Sequence, residues 1–215
     1  MDGRKELVSI PIDGEYVEGL LALPGGARGI ILFAHGSGSG RLSPRNNYVA
    51  GELRKAGLGT LLMDLLTPAE EPTTAARFDI GLLAQRLKLA ADWLSKDPHT
   101  SVLPLGLFGA STGAAAALQL AARESPAVYA VVSRGGRPDL AGREVLARVR
   151  APTLLIVGGL DGQVIELNQA AYSLLTCEKR MDIVPGATHL FEEPGTLEQV
   201  ARLACGWFVQ CLGRA

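Results

Sequence analysis

Cysteine is scarce in this chain of 215 residues: Cys177, Cys205 and Cys211 are the whole set. An odd number, late in the chain and without C-x-x-C spacing, offers neither a disulfide framework nor a zinc site. Idle thiols in a reducing cytoplasm are the expectation. An excess of one charge is lacking too. Twenty-one basic residues face 22 acidic ones, the formal net charge is −1, and no basic tract forms. That removes the electrostatic motive for binding nucleic acid or an anionic membrane. No apolar run reaches the ~20 residues of a membrane helix. The first residues lack the apolar core of a secretory signal, so a cytoplasmic protein is expected. Histidine is rare, with only His35, His99 and His189. No linker, internal repeat or low-complexity segment divides the sequence. The balance of 47% apolar and 20% charged residues suits one domain over residues 1–215, with a sizeable core.

Short apolar runs alternate with helical patterns. Residues 7–12 and 16–23 read as two strands joined by a turn at Asp13-Gly14. Nearly continuous apolar runs follow at 29–34, 60–65, 105–109, 128–132 and 153–157, as in strands buried on both faces of a parallel sheet. Residues 180–184 make a last strand. Between them, Ile80, Leu83, Leu87, Ala90 and Leu94 form one helical stripe. Val164, Leu167, Ala171 and Leu174 form another. Leu197, Val200, Ala204, Trp207 and Cys211 form a third, and alanine content makes residues 114–123 helical. The Pro-, Thr- and Glu-rich stretch 66–76 is a loop. Phe208 stays open between core and a dimer contact, and the chain between monomer and homodimer. The order implies an α/β protein, a mostly parallel sheet with helices on both faces. Ligands of such sheets bind beyond the carboxyl ends of the strands.

One strand runs directly into Gly109-Ala110-Ser111-Thr112-Gly113 and then into the alanine helix. Chance alone gives about 0.1–0.2 matches to G-x-S-x-G in a chain this rich in glycine, so context carries the inference. Between a buried strand and a helix, the motif holds a serine on a strained turn with its hydroxyl above the sheet edge. The small neighbours avoid collision with strand and helix, and the helix N-terminus favours developing negative charge. The competing reading is a glycine turn that packs a helix onto a strand.

A serine hydroxyl needs a base to take its proton. His99 lies in a polar loop before the strand 105–109, at the amino end opposite the serine. His35 and His189 each follow a strand. Asp161 ends the run 153–157 in a glycine-rich turn, where it can orient a histidine or simply cap the next helix. The loop His35-Gly36-Ser37-Gly38-Ser39-Gly40 can bring backbone N–H groups close to a reacting carbonyl. It matches neither the phosphate-loop nor the dinucleotide fingerprint.

Together these segments resemble the α/β-hydrolases of the dienelactone hydrolase group. The resemblance is carried by His35-Gly36-Ser37-Gly38, Gly109-Ala110-Ser111-Thr112-Gly113, Gly158-Gly159-Leu160-Asp161 and Gly186-Ala187-Thr188-His189. It implies the α/β-hydrolase fold and the chain order Ser, Asp, His. Ser111 is then nucleophile, His189 base and Asp161 the orienting acid. His35, which precedes the serine, is left to brace the glycine loop through its ring nitrogens. The oxyanion hole would take an N–H from Gly36 or Ser37 and that of Thr112. Dienelactone hydrolase proper uses a cysteine nucleophile, so Ser111 favours a general carboxylesterase. Many relatives insert a cap domain where only about 20 residues stand here, so no cap and an open site are expected. The group binds a substrate carboxylate with arginines, which puts forward Arg134 and Arg137. Arg77 is a weaker candidate beside Asp79, which also reads as a helix cap.

The implied activity is hydrolysis of small esters, thioesters or lactones through an acyl-enzyme, with no metal or cofactor. A peptidase or amidase on the same residues, and a non-catalytic scaffold, stay open as alternatives. A small-molecule ester is the expected partner.

Overall fold

In the computed structural model, which describes residues 3–12 and 14–214, the apolar runs form the middle of an eight-stranded sheet. The chain opens with β1 (Arg4–Ile12) and β2 (Glu15–Leu23), paired antiparallel. Asp13 of the expected turn lies outside the described residues. Then come β3 (Ile30–Ala34), α1 (Pro44–Lys55), β4 (Gly59–Met63), α2 (Thr74–Phe78) and α3 (Ile80–Leu94). The second half runs β5 (Leu105–Ala110), α4 (Thr112–Ala121), β6 (Val128–Arg134), α5 (Arg143–Arg148), β7 (Thr153–Gly158), α6 (Gly162–Leu174), β8 (Lys179–Val184) and α7 (Thr196–Leu212). Strand order is β1-β2-β4-β3-β5-β6-β7-β8. β2 is antiparallel to β1 and β4, and the other neighbours are parallel.

Every residue of β3, β4, β5 and β7 is buried. Helices on both sheet faces require this, and continuous apolar runs satisfy it. Along β3 the two faces alternate. Ile30, Leu32 and Ala34 join the core that α3 and α4 cover, while Ile31 and Phe33 join the core under α1 and α7. Phe208 is fully buried in the second core. No helix among the described residues is long and apolar enough to cross a membrane.

One helix escaped the periodicity argument. The mixed face of α1 hides its apolar stripe, in which Val49, Ala50 and Leu53 are buried. Its start carries a local signal all the same: Ser43 accepts from the Asn46 N–H, and Pro44 occupies the first turn. The loop expected at 66–76 ends in the short α2. Between β6 and β7 stand only a 3₁₀ turn (Pro138–Ala141) and α5, with no cap domain.

The chain leaves β3 toward β4, then returns to β5 on the other side. This reversal opens a crevice at the carboxyl ends of β3 and β5, the place where such sheets bind ligands. Close contact at that point depends on Gly113. A Cβ there would stand 2.2 Å from the Ala34 carbonyl oxygen. Gly113→Ala is expected to lower stability in urea unfolding by about 1–3 kcal/mol. Gly206→Ala, mid-helix with nothing within 4 Å of the added carbon, is expected to raise it by about 0.5–1 kcal/mol.

Candidate active site

β5 ends at Ala110 and α4 begins at Thr112, so Ser111 alone makes the turn. Its backbone stands at φ 50° and ψ −123°. Such a conformation costs a residue with a side chain on the order of 1–3 kcal/mol. The end of β6 and the loop after it hold it there. The Ser111 N–H donates to the Arg134 carbonyl (3.3 Å), and the Ser111 carbonyl accepts from the N–H groups of Arg137 (3.0 Å) and Ala114 (3.1 Å). The Ser111 side chain makes no capping bond to α4, so its hydroxyl is not spent on the helix. Gly36 sits against it: a Cβ at 36 would lie 2.9 Å from the Ser111 Cβ.

His189 and Asp161 meet across two loops. His189 Nδ1 lies 2.7 Å from Asp161 Oδ2. Asp161 occupies the N-cap position of α6 yet makes no capping bond. The cap reading therefore fails for its side chain, which turns to the histidine instead. The His189 loop has its own brace. Glu193 accepts from the Thr188 N–H (3.1 Å) and hydroxyl (2.6 Å), and these bonds hold its carboxyl below the usual range.

His35 is buried and has partners of its own. Its Nε2 accepts from the Leu65 N–H at 2.9 Å. The ring proton therefore sits on Nδ1, which donates to the Gly36 carbonyl at 2.9 Å. Its bracing role is the one expected. Burial pushes its pKa below the ordinary histidine value. In the same loop the Ser37 N–H donates to the Thr112 hydroxyl oxygen at 3.1 Å.

A pocket of about 190 Å³ gathers Gly36, Ser37, Ser111, His189, Arg134 and Arg45 on its walls. Arg134 is only 7% exposed. One guanidinium nitrogen donates to Asn46 Oδ1 (3.3 Å), the group stacks 5.9 Å from the Phe191 ring centre, and its buried Nε has no partner. Among the described residues no carboxylate pairs with it. Burial, and then the charge of Arg45, push its pKa down to about 10. Arg137 is not brought to the pocket in the same way: its guanidinium forms a two-pronged pair with Asp139 at 2.9 and 2.8 Å. Its contribution is the backbone bond to Ser111. Arg77 pairs with Glu71, Asp79 caps α3, and His99 is exposed before β5. Sequence reasoning missed Arg45 and Asn46. Both stand in the first turn of α1, and the Ser43-Pro44 start signal just after the glycine loop marks where they would lie.

A cleft of about 630 Å³ lies between the ends of α4 and α5, and no histidine lines it. Among the described residues no group of three or more His, Cys, Asp or Glu side chains is placed to hold a metal ion.

No family model matches the chain. The crystal structure of a dienelactone hydrolase from Anabaena variabilis superposes with a TM-score of 0.93 and 55% identity, covering 98% of this chain and 99% of that one. The chain belongs to the dienelactone hydrolase-like α/β-hydrolases. Est1E from Butyrivibrio proteoclasticus, at 15% identity, shares the family's fold over 96% of this chain and 99% of its own, with a TM-score of 0.82. A curated Mycobacterium tuberculosis protein, provisionally named a phosphoribosyl transferase, is 58% identical over 209 residues. That match takes in 97% of this chain and 47% of the other protein, so the chain spans about half the length of the curated relatives it matches.

The buried His35 links loop integrity to pH. Below 6.5 the unfolded chain takes up a proton that the folded chain refuses. Its contribution is complete above that value and declines as pH falls beneath it. Urea unfolding at about pH 7.5 and about pH 5.5 is expected to show a larger acid loss in the wild type than in His35→Gln.

Proposed function

We propose that this chain is a serine hydrolase of small carboxylic esters. The observation that carries the proposal is the 2.7 Å bond from His189 to Asp161, with His189 lining one pocket together with a strained Ser111 whose side chain does not cap α4. His189 Nε2 takes the Ser111 proton as Oγ attacks the ester carbonyl. Asp161 stays ionised, holds the Nδ1–H tautomer and stabilises the imidazolium. Backbone N–H groups of Thr112 and the Gly36-Ser37 loop steady the oxyanion. Collapse breaks the bond to the leaving alcohol, which receives the proton from His189. A water molecule, deprotonated by His189, then attacks the acyl-enzyme, and Ser111 regains its proton as the acid departs.

The substrate class follows from Arg134. A buried cation without a carboxylate is costly, and an anionic substrate would complete it. We therefore assign Arg134, with Arg45 beside it, to an anionic group on the ester. Arg137 supports the Ser111 backbone. Thioesters and lactones fit the same chemistry. Amide hydrolysis gains no support from so small a pocket, since extended peptides need further subsites. A purely scaffolding role gains none from a histidine–carboxylate pair kept beside the elbow. The transferase name belongs to a relative with half its length outside the match, and it does not redirect the reading of this site.

Steady-state hydrolysis of p-nitrophenyl esters tests the proposal. Ser111→Ala is expected to lose about 10⁴-fold or more in kcat, and Asp161→Asn about 10³–10⁴-fold. Wild-type rates in Ser111→Ala would overturn it. Arg134→Met is expected to raise KM for p-nitrophenyl hemisuccinate by about 10–100-fold while leaving the neutral acetate nearly unchanged. Equal, small changes for both esters would remove Arg134 from substrate binding.

A further inference from the structure

The side chain of Thr112 offers the site a second feature besides the backbone N–H. The Ser37 N–H, one of the two loop donors put forward for the oxyanion, ends on the Thr112 hydroxyl oxygen at 3.1 Å. Thr112 is 2% exposed, so bulk water does not compete for that hydroxyl. A hydroxyl has one proton and two lone pairs. The bond from Ser37 uses a lone pair and leaves the proton free, and accepting it strengthens the O–H as a donor.

An ester oxygen that also drew on the Ser37 N–H would share that donor with the Thr112 oxygen. Two oxygens on one N–H stand in contact, and they repel unless a proton lies between them. The threonine brings that proton. Thr112 is also the first residue of α4, so its own N–H has no acceptor within the helix and points out of the first turn. We infer that the Thr112 hydroxyl is itself an oxyanion donor. The hole then gains the O–H of Thr112 beside its N–H, with the Ser37 N–H polarising the hydroxyl. This role rests on the serine hydrolase reading. The rival role is a plug, a hydroxyl that occupies the loop donor at rest and yields it to substrate. The two roles predict opposite signs when the hydroxyl is removed.

Thr112→Val keeps the branched shape and deletes the hydroxyl, whereas Thr112→Ser keeps the hydroxyl. Two quantities are measured: hydrolysis of p-nitrophenyl acetate, and inhibition by phenylboronic acid, whose tetrahedral adduct on serine mimics the intermediate. Thr112→Val is expected to lose about 10–100-fold in kcat with KM within about 3-fold. Its boronate affinity should fall by a similar factor, and Thr112→Ser should stay within about 3-fold of wild type throughout. A Thr112→Val enzyme as fast as wild type, or faster, overturns the inference. So does a loss of kcat with boronate affinity unchanged, which would mark a residue that only shapes the loop. If the valine variant does not fold, Thr112→Ala carries the same comparison. Failure of the parent reading looks different: wild-type protein would neither turn over the ester nor bind the boronate, and both proposals would fall together.

Discussion

The site depends on the backbone clamp around Ser111. A serine at φ 50° is unfavourable on its own, and the fold sustains it by bonding that residue's N–H to the end of β6 and its carbonyl to the loop that follows. The strand end just before that loop carries Arg134, whose guanidinium reaches the pocket wall. One short segment thus fixes the direction of the serine hydroxyl and the charge next to it. Gly113 and Gly36 complete the constraint from the other side, because neither position has room for a side chain. The sheet reversal between β3 and β5 brings these three segments to one edge. The crevice follows from topology, and the serine geometry from local backbone bonding.

Charge in the pocket is arranged unevenly. Asp161 is paired with His189, while Arg134 is buried against an amide and an aromatic ring. Asn46 and Phe191 soften the desolvation cost of the guanidinium without neutralising it, and the Arg45 charge nearby adds to the strain. Arg45 is itself held by Glu192 at 3.0 Å, close to the His189 loop. Under the proposed anionic substrate, binding would relieve this imbalance.

Much of this was legible in the sequence. Buried parallel strands announce themselves as unbroken apolar runs, and the elbow and the acid turn follow such runs, whereas the late histidine follows the mixed, half-exposed strand β8. Asp161 was ambiguous, because a helix cap and a catalytic acid share the same residue and position; only the direction of its side chain separates them. α1 was missed because polar Arg, Asn and Glu residues dilute its apolar stripe, and Arg45 and Asn46 went with it. Arg134 and Arg137 looked alike in one loop. They part because Asp139 lies two residues beyond Arg137 and captures it, while Arg134 ends a buried strand. The hydroxyl contact between Thr112 and Ser37 joins residues 75 apart, which no local pattern could reveal.

The central claim is that Ser111 is a nucleophile activated by His189. Intact-mass and peptide mapping after treatment with a fluorophosphonate tests it most directly. One adduct per chain is expected, on the peptide that holds Ser111, with labelling abolished in Ser111→Ala and strongly slowed in His189→Ala. An adduct on a different residue, or labelling of Ser111→Ala at the wild-type rate, would contradict it.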